Sequence, residues 1–159
     1  MKTNYSLRYA SHPVDAKNYD TQRLRKEFLI DTLFVNDEVN MVYSMYDRMI
    51  VGGVMPKAET LRLEAIDPLK ATYFTTRREI GVFNVGEGEG VVKVGEESFT
   101  LGFKEALYIG SGDRDVLFES KDPQHPAKFY FNSTCAHKIG RASCRERVFR
   151  SVYFAVVGV

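Results

Sequence analysis

Residues 73 to 110, YFTTRREIGVFNVGEGEGVVKVGEESFTLGFKEALYIG, constrain the fold more than any other stretch of the chain. Val92 and Val94 flank Lys93, and Phe99 and Leu101 alternate with Ser98 and Thr100. This is the period of a strand with one buried face. Gly95 and Glu96 separate the two bursts, and glycine in the first central position suits a two-residue hairpin turn whose twist matches its strands. The stretch reads as the central hairpin of an all-β domain.

The remaining segments read as strands added around it. Residues 1 to 19 form a polar arm, an extended lead-in interrupted at His12-Pro13. Asp20 and Thr21 offer caps for one short N-terminal helix over QRLRKEFL. Strands are then predicted over FLIDTLFV, VNMVYSMY, RMIVGGVM, ETLRLEAI, DVLFES and AKFYFN, the first three as an antiparallel meander. Gly52 and Gly53 within an apolar run mark a bulge or the close approach of another backbone. About ten short strands at this spacing predict an antiparallel β-barrel or sandwich.

A chain of 159 residues with 44% hydrophobic and 27% charged residues is expected to form one domain with a substantial core. A net charge of +1 gives no reason to expect nucleic acid or an anionic membrane as partner. No apolar run is long enough for a membrane span, and the start MKTNYSLRY lacks the apolar segment of a signal peptide. A cytoplasmic location is therefore expected. Cys135 and Cys144 are too few for a disulfide scaffold.

Composition breaks near Lys138. Residues 139–159 hold four arginines and one glutamate, a net +3, whereas residues 1–138 hold 18 basic and 20 acidic residues, a net −2. IGRASCRERV also resembles the frame translation of a sequencing-library adapter. Residues 1–138 are read as the folded unit, and 139–159 as a non-native tail.

Few residues offer chemistry. The GEGEG run is a turn, because its glutamates would repel a phosphate and no helix follows. His12, His125 and His137 are scattered and read as surface residues. Cys135 has no basic sequence context. Glu79 and Asp115 could be metal ligands, but zinc needs three or four converging donors. Glu79 could equally pair with Arg77 or Arg78 at a strand end. The arginines could grip a sugar acid's carboxylate, although adjacent strand residues face opposite ways and at most one can point inward.

The hairpin resembles that of the cupins, small β-barrels that often hold a metal. In their first motif, Glu79 and Gly86 keep the spacing, but the histidine places fall on Tyr73 and Thr75, or on Thr72 and Phe74. The second motif's frame falls on Lys104, Gly110, Gly112 and Asp115, where only Gly112 fits.

A closer resemblance runs through DTQRLRKEFL (20–29), FVNDE (34–38), MVYS (41–44), DR (47 and 48), VGGVMP (51–56), FTTRREIGVFNVG (74–86), ALYIG (106–110) and PAKFYFN (126–132). Together these resemble the N-terminal half of the 4-deoxy-L-threo-5-hexosulose-uronate ketol-isomerase family. The resemblance implies a hexameric two-cupin enzyme, an intramolecular oxidoreductase of aldose–ketose type. It would convert 5-dehydro-4-deoxy-D-glucuronate to 3-deoxy-D-glycero-2,5-hexodiulosonate in pectin and uronate catabolism. It also implies a zinc ion held by three histidines and a glutamate in the second half, so no metal ligand or catalytic residue maps onto this chain. The expectation is an inactive fragment that binds no zinc, a homo-oligomer whose only substrate contacts would be Arg77 and Glu79. The alternative is a non-catalytic cupin module for oligomerisation or sugar-acid binding. Because SVYFAVVGV has the character of an aggregation segment, deletion of residues 139–159 is expected to raise the soluble yield on expression. A fall in yield would mean that the tail packs as a strand.

Overall fold

A computed structural model describes residues 2–136 of the chain. The tail 139–159 and His137 lie outside the described residues. Ten strands are present: β1 (Lys2–Arg8), β2 (Glu38–Ser44), β3 (Ile50–Val54), β4 (Leu61–Arg62), β5 (Arg78–Asn84), β6 (Gly90–Val94), β7 (Glu97–Leu101), β8 (Ala106–Ile109), β9 (Val116–Ser120) and β10 (Phe129–Cys135). They form a six-stranded sheet, ordered β1-β2-β3-β10-β5-β8, and a four-stranded sheet, ordered β4-β9-β6-β7. β7 lies beside β8 and β4 beside β2. The two sheets therefore approach each other along both sides, as a flattened barrel on which β1 is an overhanging edge.

The predicted hairpin is present as β6 and β7. Val94 pairs with Glu97 across Gly95-Glu96, and Gly95 takes a φ of 59°, which costs glycine little. Burial alternates strictly along β5 and β6, so each strand presents one face to the core. That core lies between the sheets and includes Val39, Ile50, Val82, Val92, Phe118 and Phe129. Phe118 on β9 meets Phe129 on β10 with ring centroids 5.3 Å apart, which joins one sheet to the other.

Three expectations require correction. The polar arm contains a strand, β1, which pairs with β2 in parallel rather than antiparallel fashion. It also contains a one-turn helix, α1 (Pro13–Ala16), capped by His12, whose Nδ1 accepts from the Val14 amide. The single predicted helix is thus a second one, α2 (Thr21–Phe28), and Asp20 caps it as expected. Finally, FLIDTLFV forms no strand: Phe28 ends α2 and residues 29–35 have no strand pairing. This segment instead lies over the outer face of β2 and β3. Asn40 on β2 donates to the Leu33 carbonyl at 3.4 Å. A Cβ on Gly53 would lie 2.8 Å from the Leu33 oxygen, so the close backbone approach read from the paired glycines is real, while the register through Gly52 and Gly53 runs without a bulge.

Asn84 closes one end of the barrel. It is fully buried, and its amide donates to the Gly88 and Leu101 carbonyls at 2.8 and 3.0 Å while its oxygen accepts from the Gly86 and Lys128 amides. One side chain thereby satisfies four backbone groups, three of them in fully buried hydrogen bonds. Among the described residues no helix is long and apolar enough to cross a membrane.

Asn84→Ala leaves those groups without partners and is expected to lower the unfolding free energy by about 3 kcal/mol in denaturant titration. Asn84→Asp is expected to cost more at neutral pH, because a carboxylate would face two carbonyl oxygens. Burial raises the folded-state pKa of that aspartate above its unfolded value. The deficit relative to wild type should therefore widen as pH rises from about 4 to 7; a constant deficit would contradict this account.

Candidate functional site

At the opposite end, where β2 and β10 finish and β3 and β5 begin, the inward row of β5 starts with Arg78. Register puts Arg78 opposite Cys135, and the side chain is only 4% exposed. Its Nε donates to the Ser133 hydroxyl at 3.0 Å, and its Nη2 to the Ser133 and Arg48 carbonyls at 2.9 and 2.6 Å. Nη1 lies 3.6 Å from the Cys135 sulfur, and the guanidinium carbon lies 5.7 Å from the centre of the Tyr43 ring. No carboxylate is among these partners. Burial lowers the Arg78 pKa from its usual value, but arginine titrates so far above neutrality that the group stays a cation.

Arg78 lines a cavity of about 330 Å³, with Arg48, Arg77, Tyr43 and Cys135 among the polar members of its wall and Leu69 and Phe74 among the apolar ones. Three guanidinium-bearing residues thus border one cavity, and no aspartate or glutamate does. Arg77 is exposed, and its Nη2 donates to the Leu69 and Lys70 carbonyls at 2.7 and 3.2 Å.

The structure separates the two residues read as substrate contacts. Arg77 borders the cavity, whereas Glu79 does not. Glu79 follows Arg78 on β5 and belongs to the partly exposed outer row, where it accepts a hydrogen bond from Tyr108. Its expected pairing with Arg77 or Arg78 is absent among the described residues. The inward arginine is Arg78, the member of the pair that strand alternation left undecided. Cys135 has no basic neighbour in sequence, yet the β5–β10 register brings it to Arg78; only the pairing of distant strands could have revealed this.

No three His, Cys, Asp or Glu side chains converge among the described residues. Asp115 pairs with Arg62 at 2.5 Å, and His125 pairs with Asp122 on an exposed loop at 2.8 Å. Thr75, at one of the histidine places of the cupin motif, is buried and donates to the Gly112 carbonyl at 2.7 Å. Zinc therefore does not fit these residues.

Comparison with known proteins extends this picture. No family model matches the chain. A 4-deoxy-L-threo-5-hexosulose-uronate ketol-isomerase of Bacteroides fragilis is 68% identical over 138 residues, which are 87% of this chain and 49% of the relative. A second, from Bacteroides thetaiotaomicron, is 67% identical over the same length and shares. The chain is a homologue of the uronate ketol-isomerases. Likewise, one from Oceanobacillus iheyensis is 46% identical over 132 residues, 83% of the chain and 48% of the relative. The chain spans about half the length of the ketol-isomerases it matches. Among solved structures, a Thermus thermophilus protein superposes with a TM-score of 0.45 at 16% identity, over 74% of this chain and 96% of its own. A cupin protein from Bacteroides fragilis gives 0.40 at 13%, over 64% and 76%. These remote likenesses carry no weight beside the strand pairing itself.

Burial and the Glu79 carboxylate together hold the Tyr108 phenol above its usual pKa. Glu79→Gln removes the like charge that disfavours the phenolate and leaves only a weaker, neutral acceptor, so the Tyr108 pKa is expected to fall toward the ordinary tyrosine value. Titration of ring-labelled tyrosine by NMR reads this shift directly. An unchanged Tyr108 curve would mean that burial alone sets it.

Proposed function

We propose that this chain is the N-terminal half of a uronate ketol-isomerase. The whole enzyme would convert 5-dehydro-4-deoxy-D-glucuronate to 3-deoxy-D-glycero-2,5-hexodiulosonate, and this half would be a scaffold that is inactive alone. The observation that carries the reading is the 68% identity over 138 residues that make up only 49% of the relative's length. Homo-oligomeric assembly and a cytoplasmic location belong to the same proposal.

The chemistry agrees with a division of labour. Ketol isomerisation moves a proton between adjacent carbons, which needs a positioned base and a group that stabilises the enediolate. Glu79, the carboxylate next to the arginine-lined cavity in sequence, faces the other side of its strand. The cavity offers cations and a thiol but no carboxylate or imidazole. Such a wall can hold an anion, and it supplies neither the carboxylate nor the imidazole that most often abstracts a proton.

Joining residues 1–138 to the remaining part of the Bacteroides fragilis relative tests this. The chimera is expected to turn over the 5-keto uronate and to bind zinc stoichiometrically, while the 159-residue chain alone gives background turnover and no stoichiometric zinc. Activity or tight zinc binding by the chain alone, or an inactive chimera beside an active intact relative, would overturn the proposal.

A further inference from the structure

We propose that the Arg48–Arg77–Arg78 cavity is a carboxylate-binding site for a small sugar acid. Two independent features of the chain point to it.

The first is charge. A buried cation ordinarily has a carboxylate partner, because leaving water is costly for an ion and a neutral acceptor recovers only part of that cost. Arg78 is buried, its hydrogen-bond partners are two carbonyls, a hydroxyl and a thiol, and two further arginines share its cavity without an acid in the wall. An oxyanion in the cavity would complete the set. Guanidinium groups hold a carboxylate through paired N–H donors, and Arg77 engages the carbonyls of Leu69 and Lys70 through Nη2 alone.

The second is backbone geometry. Asp47 and Arg48 form the central pair of the β2–β3 turn, closed by the Met49 amide on the Tyr46 carbonyl at 3.1 Å. Their φ angles are 52° and 53°, as a two-residue turn of this hand requires, and glycine or asparagine occupies such positions at less cost than arginine. An arginine in the left-handed region is a local expense that the turn does not need. Its placement puts a third guanidinium-bearing residue on the cavity wall, and its carbonyl is the one Arg78 holds at 2.6 Å. Strained residues of this kind gather at ligand clamps.

The cavity, about 330 Å³, falls within the range of small-molecule sites. Phe74 and Leu69 give it an apolar wall for the C–H face of a ring. The choice of a sugar acid over another carboxylate rests on the function proposed above, whereas the anion site rests on the geometry alone.

Calorimetric titration of the full 159-residue chain at low salt tests this, with D-glucuronate as probe, D-glucose as its neutral twin, and acetate and phosphate as bare anions. Saturable binding is expected for glucuronate and none for glucose. Arg48→Gly is expected to weaken glucuronate binding about tenfold, the effect of one charge-assisted hydrogen bond, while the melting temperature stays level or rises because glycine relieves the turn. That split between binding and stability would not follow from a purely structural arginine. Arg77→Gln, on an exposed side chain, should weaken binding in the same direction. Equal responses to glucuronate and glucose, or unchanged affinity in both variants, would overturn the site. Acetate or phosphate binding as tightly as glucuronate would overturn the sugar-acid assignment. Since binding is read without turnover, an inactive chimera leaves this result standing, and failure to bind glucuronate leaves the isomerase reading standing.

Discussion

The inward row of β5 sets the terms for the rest of the barrel. Arg78, Ile80, Val82 and Asn84 lie along one face of a strand hydrogen-bonded on both sides, to β10 and β8. The two aliphatic residues are buried in the core, and the two polar ones close its ends. A buried polar group is tolerated only when its hydrogen bonds are met. The two ends meet this condition differently. Asn84 reaches a closed arrangement, two donors and one oxygen serving four backbone partners. Arg78 satisfies its geometry with neutral acceptors and leaves its charge uncompensated.

Much of this was legible in the sequence because the central strands bury one face and expose the other. The β6–β7 hairpin, the helix capped by Asp20 and the close approach at Gly53 each follow from local residue types. The parts that escaped share a physical cause. β1 sits at the sheet edge with Tyr5 and Leu7 about 40% exposed, so it carries no sharp alternation of burial, and its parallel partner lies more than thirty residues away. Residues 29–35 are apolar enough to resemble a strand, yet they cover the outer face of β2 and β3 instead of extending a sheet. Residue type alone does not say whether an apolar segment joins a sheet or crosses its face, and none of residues 29–35 is fully buried.

The candidate site was only half legible. Alternation requires that Arg77 and Arg78 face opposite ways, but local sequence cannot say which faces inward. The phase is fixed by the whole row: Ile80 and Val82 must be inside, so Arg78 is inside and Glu79 outside. Arg48 belongs to the motifs of the family resemblance, but its place at the cavity was hidden for another reason. Nothing in SMYDRM announces a turn with two left-handed non-glycine residues, and the contact between that turn and β5 spans 30 residues.

The two ends of β5 also differ in what a substitution could gain. Asn84 has no simple improvement, because an apolar side chain there would strand four backbone groups. Arg78 stands otherwise. An apolar side chain of similar length would give up the hydrogen bonds to the Ser133 and Arg48 carbonyls and the Ser133 hydroxyl, but it would also remove a charge that must be desolvated, so its cost is partly offset. The strained Arg48 adds a second local cost at the same cavity, and glycine would relieve it. At Arg48, stability alone therefore favours a glycine over the cation that the chain carries. A bound anion shifts that balance, since it gives the buried Arg78 a counter-charge and lowers the mutual repulsion of the three arginines at the cavity. The fold tolerates this end of β5 without the anion; only with it do the charge and the strain serve a common purpose.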